Sequence, residues 1–418
     1  MTDREAFIEA IAARRDDGTV RLAFADWLQE HGEEDRAEFV RLSHALAACS
    51  REQEKPNPIS AELQRLRKQV LNLLETHGPR WFDPFCRALG QESVFGHRGR
   101  RSAQAYWTGR LRLDNPSYQR DFDSGQIDLN ELSAGVFSGI KLRHGFVQQA
   151  TVLLASESHV GDVAGAFRCE PVEELTIRTA AAPDQWRRLN VPSLARIQTL
   201  NVEAPPEPTP QAIEVFDEVL AGEHWSGVHD FYLACSDADL ELQGGYAARL
   251  LRAPLLSGLK TLWLRDAQHD LMPLVCSPRL TSLRCFIALG CEPADAVFRA
   301  LRDASFRPNV DVLILSLTCH RIDESVEALT SAPWPKLRML ALEEVTDASV
   351  RHLLPLVPQL TYLYLRGKMM TDAGAAALAA AVNPEYLQTL DLSYNPLSES
   401  MVAALRARFG SRFKFTPA

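Results

Sequence analysis

Few residues of this chain stand at spacings that could do chemistry. His224 and His229 are separated by four residues, which lets two imidazoles approach one metal, but no C-x-x-C pair accompanies them to complete a zinc site. Asp237-Ala238-Asp239-Leu240-Glu241 begins like a calcium loop, yet Leu242 stands where the sharp turn needs glycine. Cys49 and Cys86 are the thiols that a thioester-forming ligase could use. Nothing visible in the sequence would lower either pKa, so both read as buried thiols. His97, Arg98, Arg100, Arg101, Arg110 and Arg112, interleaved with Tyr106 and Trp107, have the basic-aromatic character of single-strand nucleic-acid contacts. Asp114, Asp121, Asp123 and Asp128 follow closely and offset it, which favours a solvated loop. There is no H-E-x-x-H, no phosphate-cradling glycine loop, no dinucleotide fingerprint and no G-x-S-x-G. The expectation is a protein that binds rather than catalyses, with no metal and no cofactor. A cysteine enzyme in the helical region and nucleic-acid binding through 98–112 are the competing readings.

Composition points the same way. The 418 residues are 46% hydrophobic and 24% charged, ordinary for a folded protein. The formal charge of -9 argues against a general nucleic-acid binder, because phosphate contacts need a basic face. No apolar run reaches the roughly 20 residues that span a bilayer. The start, Met1-Thr2-Asp3-Arg4-Glu5, leads into an amphipathic helix and not a signal peptide. The 8 cysteines are scattered without a C-x-x-C pair. These features predict a cytoplasmic protein away from the membrane.

The elements that must position any site are repeats. Val310 to Leu315, Leu337 to Leu342, Leu360 to Leu365 and Leu387 to Leu392 all read apolar-x-x-Leu-x-Leu. The last continues through Asn395 to Leu397 and completes the L-x-x-L-x-L-x-x-N-x-L form of a leucine-rich repeat. Starts are assigned at Val147, Val172, Ile197, Val228, Leu259, Leu280, Val310, Leu337, Leu360 and Leu387. By subtraction the intervals are 25, 25, 31, 31, 21, 30, 27, 23 and 27 residues. Val147-x-x-Ala150-x-Val152 is the most degenerate unit. Thr371-Asp372, Thr346-Asp347, Asp323-Glu324 and Ser398-Glu399 open helices between strands, with acids at the positive helix end. The fold class is therefore α/β: a solenoid of one strand plus one helix per repeat, behind an all-α N-terminal module. Lys368, Val345 and Thr318 replace the Asn395 position elsewhere, so loop bonding must vary between repeats.

The first 90 residues read as helices. Phe7, Ile8 and Ile11 lie at helical spacing. Thr19 is a candidate N-cap for a second helix ending at Gly32, and Arg36 to about Cys49 forms a third. Pro56-Asn57-Pro58 breaks the chain. A further helix from Ser60 ends at His77-Gly78-Pro79, before a short apolar helix with Trp81, Phe82, Phe85 and Leu89. Arg21-Leu22-Ala23-Phe24-Ala25-Asp26-Trp27-Leu28-Gln29-Glu30-His31-Gly32, with Arg36-Ala37-Glu38-Phe39-Val40-Arg41-Leu42, resembles the bacterial repeat-companion domain, a short helical module in front of leucine-rich or other repeats. The resemblance covers about 50 residues and implies no catalytic activity. Lys141 to Val147 is similar to the segment by which such proteins enter their repeats, with His144 where Arg is more usual. Asp26 is expected to cap or pair with an arginine, and Trp27 to pack on the next helix. The domains expected are a helical repeat-companion or capping module at 1–90, an irregular insertion or linker at 91–138 and the leucine-rich repeats at 139–418.

Side chains alternate along a strand, so residues between the leucines face the open, concave side. One expected column holds Tyr232, Trp263, Arg284, Ile314, Ala341, Tyr364 and Asp391. The next holds Arg265, Phe286, Ser316, Glu343 and Arg366, with Tyr362 and Met339 beside them. Tyr, Trp and Arg dominate binding hot spots. Tyr232, Trp263, Arg265, Arg284, Phe286, Tyr362, Tyr364 and Arg366 are the candidate residues for gripping a protein partner. The helical module is a candidate second docking site.

Overall fold

The computed structural model describes residues 2–14, 17–52, 61–89, 126–128, 139–154, 161–179, 183–203, 209–234, 246–265, 271–290, 294–316 and 322–417. The basic stretch 97–112, the calcium-like stretch at 237 and most of 91–138 lie outside them. The chain forms two compact units. The first comprises Met1–Asn201, Thr209–Glu218 and His224–Gly227, and the second Val202–Pro208, Val219–Glu223 and Val228–Ala418. The division falls inside the strand series, so the helices share a unit with the first repeats.

The first unit opens with α1 (Asp3–Ala13), α2 (Gly18–Glu30), α3 (Glu34–Glu52) and α4 (Ala61–Ala88). Thr2 and Glu5 close a reciprocal capping box on α1. Asp17, not Thr19, caps α2: its carboxylate accepts from the Thr19 N–H at 2.9 Å. The two helices expected on either side of His77-Gly78-Pro79 are one, with Pro79 and Pro84 inside α4. An internal proline costs about 3 kcal/mol or more. Here Leu63, Leu66, Val70, Leu74, Phe82 and Phe85 are all buried on α4, and their burial outweighs that cost.

Strand β2 (Gly139–Arg143) turns into β3 (Phe146–Leu154) through His144 and Gly145, at φ 50° and 89°. Two left-handed residues in succession are what a tight two-residue hairpin requires. A Cβ on Gly145 would also lie 3.2 Å from the Val40 Cα, so the turn seats directly on α3. β1 (Gln126–Asp128) pairs antiparallel with β2. β3 runs parallel to β4 (Glu174–Thr179), matching Ala150 to Leu175 and Val152 to Ile177. The most degenerate repeat is thus in register. Phe146 joins Ile8, Ile11, Phe24, Leu28, Ala37 and Val40 in one core. Asp26 pairs across helices with Arg41 at 2.7 Å. Trp27 packs on Phe7 of α1, stacks on His31 and lies against the core to which α3 contributes Ala37 and Val40.

β5 (Thr199–Glu203) straddles the division. The second unit then runs β6 (Asp230–Ala234), β7 (Thr261–Arg265), β8 (Cys285–Leu289), β9 (Val312–Ser316), β10 (Met339–Glu343), β11 (Tyr362–Arg366), β12 (Thr389–Asp391) and β13 (Phe413–Lys414). All pair parallel in chain order, with helices such as Ile322–Thr330, Asp347–Leu353 and Asp372–Ala381 between them.

Two ladders hold this register. Before each strand, the N–H groups of Lys260, Arg284, Asp311, Arg338, Thr361 and Gln388 each donate to a carbonyl one repeat back, at 2.7 to 2.8 Å. After four strands the chain turns through a left-handed residue, Gly290, Glu344, Gly367 or Tyr394. Each of their N–H groups donates to a carbonyl of the next repeat. Asn395 bonds the Leu365 and Leu392 carbonyls and accepts from the Met370 N–H. Val345 fills the equivalent place as a buried hydrophobe.

One repeat start is corrected. Phe286 pairs with Leu262 and Leu313, and its side chain is 0% exposed. The unit therefore begins at Leu283 and not Leu280, and the adjoining intervals become 24 and 27 residues by subtraction. Phe286 takes the place of a core leucine.

Candidate functional site

The open strand face of the second unit carries the candidate residues. Along β6 to β11 the burial alternates residue by residue, with Phe231, Leu262, Phe286, Leu313, Leu340 and Leu363 inside. Their neighbours point the other way. Strand pairing aligns Tyr232, Trp263, Ile287, Ile314, Ala341, Tyr364 and Asp391 in one row. A second row holds Thr261, Cys285, Val312, Met339 and Tyr362. Strands lie about 4.8 Å apart, so Trp263 and Tyr364, four strands apart, are separated by roughly 19 Å along the row.

The structure gathers Tyr232, Trp263, Tyr362 and Tyr364 on this face, each half-buried. Arg265 and Arg366 stand exposed at the carboxyl ends of their strands. Arg284 also belongs to the face, but at the amino-terminal edge, beside Lys260, Asp311 and Arg338, where it pairs with Asp311 at 2.7 Å. Phe286 does not belong to it. Ile287, Cys285 and Leu289 take its place, and the three-residue slip in the repeat start had hidden them. Admitting Phe and Ala at leucine positions, as in Leu283-x-x-Phe286-x-Ala288, would have revealed them.

Several of these side chains are held in place. Tyr232 and Trp263 meet edge to face, 5.1 Å between ring centres. Such aromatic pairs are worth about 0.5–1.5 kcal/mol beyond their burial. The indole N–H of Trp263 is buried without an acceptor. Arg366 lies over the Tyr364 ring and donates twice to Asp391, which is itself buried. That hydrogen bond holds the Arg366 guanidinium pKa above its ordinary value. Burial pushes Asp391 up, but hydrogen bonds from Ser393 and Arg366 outweigh it and hold the carboxyl below the usual range.

Cys285 is on this face and is a poor nucleophile. Burial, with the nearby charges of Asp311 and Asp230, pushes its thiol up to about 11. Its alkylation by iodoacetamide should be at least tenfold slower at pH 8 than that of a free thiol of pKa about 8.5, and should climb up to pH 10. Mass spectrometry of the Cys285 peptide measures this, and a rate that levels off below pH 9 would contradict the assignment. Cys86 is buried within α4, as a structural thiol should be, and Cys49 is half-buried on α3.

In the first unit, α1 and α2 flank an open groove of about 620 Å³ lined by Phe7, Ala10, Val20, Ala23, Trp27 and Arg14. Among the described residues no three His, Cys, Asp or Glu side chains converge as metal ligands. No described helix is long and apolar enough to cross a membrane.

Comparison with known protein families finds no family model that matches this chain, and comparison with curated proteins finds no matching relative.

Proposed function

We propose that this chain is a cytoplasmic, non-enzymatic interaction protein. In this reading the strands and helices are leucine-rich repeats behind a repeat-companion module, and the strand face of the second unit grips a segment of a protein partner. One observation carries the reading: Tyr232, Trp263, Ile287, Ile314 and Tyr364 share a single row of the sheet, half-exposed and in register. Water-facing sheet rows are ordinarily polar, and a contiguous apolar one marks a place that something covers. Burial, which pushes the Cys285 thiol up, argues against that thiol as a nucleophile.

The test is affinity capture from native lysate, quantified by mass spectrometry, with the full chain and its Trp263→Ala/Tyr364→Ala variant. The partner should be retained at least tenfold less by the variant, about 1.4 kcal/mol, while the circular dichroism spectrum stays unchanged. Equal retention by both proteins would remove the strand face from the account.

A further inference from the structure

We infer that the groove between α1 and α2 docks onto the same groove of a second copy of this chain, with the two α1 helices antiparallel about a two-fold axis. This contact is independent of the strand face and of any partner held there.

The groove is apolar in the middle and charged at its ends. On α1 it is lined by Asp3, Ala6, Phe7, Ala10 and Arg14, which three- and four-residue steps place on one side of the helix. Asp3, Ala6 and Arg14 are exposed, and Phe7 and Ala10 half-exposed. On α2, Val20, Ala23 and Trp27 form the other wall. The core beneath takes one side of Phe7, Val20 and Trp27 and leaves the other open. The alanines beside these rings leave room for a large side chain from outside.

Along α1 the stripe runs from acid to base, with Asp3 and Arg14 about 16 Å apart. At the Asp3 end, Glu30 stands exposed one turn beyond Trp27, while Arg4 and Glu33 pair at 2.6 Å and cancel. Arg14 is the cation of the groove, and among the described residues it makes no ion pair. Asp17 lies near it, but that carboxylate is committed to α2: it caps the helix through the Thr19 N–H and lies near the buried Arg21 as well. The other acids of the two helices are paired elsewhere, Glu5 with Arg168, Glu9 with Arg196 and Asp26 with Arg41. Arg15 and Asp16, of opposite sign, lie outside the described residues. This order is complementary to itself. A two-fold axis across the middle of α1 sets Asp3 of one copy against the partner's Arg14, and Phe7 against the partner's Ala10, each contact made twice. A parallel arrangement would set acid on acid and ring on ring. Large against small lets the helices approach, and two copies of α1 and α2 close into a four-helix bundle. The ten lining residues of the groove are about half of the roughly 20–30 a side in a standard interface, so the dimer should be weak, with Kd about 1–100 µM.

Sedimentation velocity of the full-length chain from about 2 to about 200 µM tests this. Wild type should move toward a dimer as its concentration rises. Asp3→Lys sets like charges opposite each other at both symmetric contacts, and so does Arg14→Glu. Each variant alone should dimerise at least tenfold more weakly, with its circular dichroism spectrum unchanged. An equimolar mixture of the two should associate again, because every altered residue then meets its opposite in the other copy. Loss of structure in either variant could not produce that recovery. Wild type that stays monomeric at the highest concentration would overturn the inference and leave the groove to a different protein. Single variants that dimerise as wild type does would also overturn it, and would move the contact to another surface such as the strand face. A mixture that fails to recover would overturn the antiparallel pairing.

Discussion

Replacing Arg36 with methionine should destabilise the first compact unit by about 3–5 kcal/mol, the usual cost of leaving one half of a buried ion pair behind. The Arg36 and Glu170 side chains are 4% and 7% exposed, and a guanidinium nitrogen donates to Glu170 at 3.0 Å. The second Glu170 oxygen accepts from the Val147 N–H at 2.8 Å. The rings of Phe82, Trp81, Phe39 and Phe146 lie 4.7 to 5.6 Å from the guanidinium carbon and help to hold the charge out of water. Burial pushes the Glu170 carboxyl up, and Arg36 and the Val147 N–H pull it back. Without Arg36 the carboxyl keeps its burial and loses its main compensation. Removing both charges in Arg36→Met/Glu170→Leu should recover more than half of the loss, with the Val147 N–H left as the main unpaired group. Urea unfolding followed by tryptophan fluorescence reads the effect. A single variant within about 1 kcal/mol of wild type, or a double variant no better than the single, would show that the pair is not the tie between α3 and the first repeats.

The position of that pair explains what the sequence conveyed well and what it hid. Leucines at fixed offsets impose the strand register directly, since a slip of one residue would turn every one of them toward water. That is why even Val147-x-x-Ala150-x-Val152 falls in line. Arg36 and Glu170 are 134 residues apart, and no periodic pattern relates them. Thr19 attracted the cap assignment because a hydroxyl before an apolar run is the usual signal, but Asp17 stands two residues earlier and meets its N–H. The prolines of α4 misled in the same way. Local propensity predicts a break, and the continuous buried face overrides it. On the candidate site, Trp263 and Tyr364 were legible from alternation alone. Ile287 and Cys285 were not, because Phe286 and Ala288 occupy leucine positions in their repeat and shifted the assigned start. The sparse asparagine ladder was legible as an absence. What replaces it is carried by side chains one repeat apart, which sequence alone does not place together.

That replacement should be measurable as acid sensitivity. Asp323, Asp347 and Asp372 each sit at the start of their own helix and reach the cap of the following one. Asp323 accepts from the Thr346 and Ser349 hydroxyls, Asp347 from the Thr371 hydroxyl and the Thr371 and Gly374 N–H groups, and Asp372 from the Ser398 hydroxyl and N–H. Gly374 lets the carboxylate come close, since a Cβ there would lie 2.4 Å from Asp347 Oδ1. Hydrogen bonds to a charged acceptor contribute about 1.5–3 kcal/mol, and these positions are only partly buried, so Asp323→Ala/Asp347→Ala should cost about 3–4 kcal/mol together. Burial raises both carboxyl pKa values, but the hydroxyl and N–H donors outweigh it and hold Asp323 and Asp347 below the ordinary 3.8. A carboxyl bound more tightly as an anion in the folded chain lends its full stability above the unfolded value. That stability drains away as pH falls from about 4 through the lower folded value. The wild-type second unit should therefore lose stability more steeply below pH 4 than the double variant, the two curves converging toward pH 2. Asp391, also held low, remains in both and leaves a shallower slope in the variant. Thermal unfolding of both proteins at closely spaced pH values gives the comparison. Curves that stay parallel through the acid range would mean that the carboxylates are spacers between helices and not the anions that lock each cap to the repeat before it.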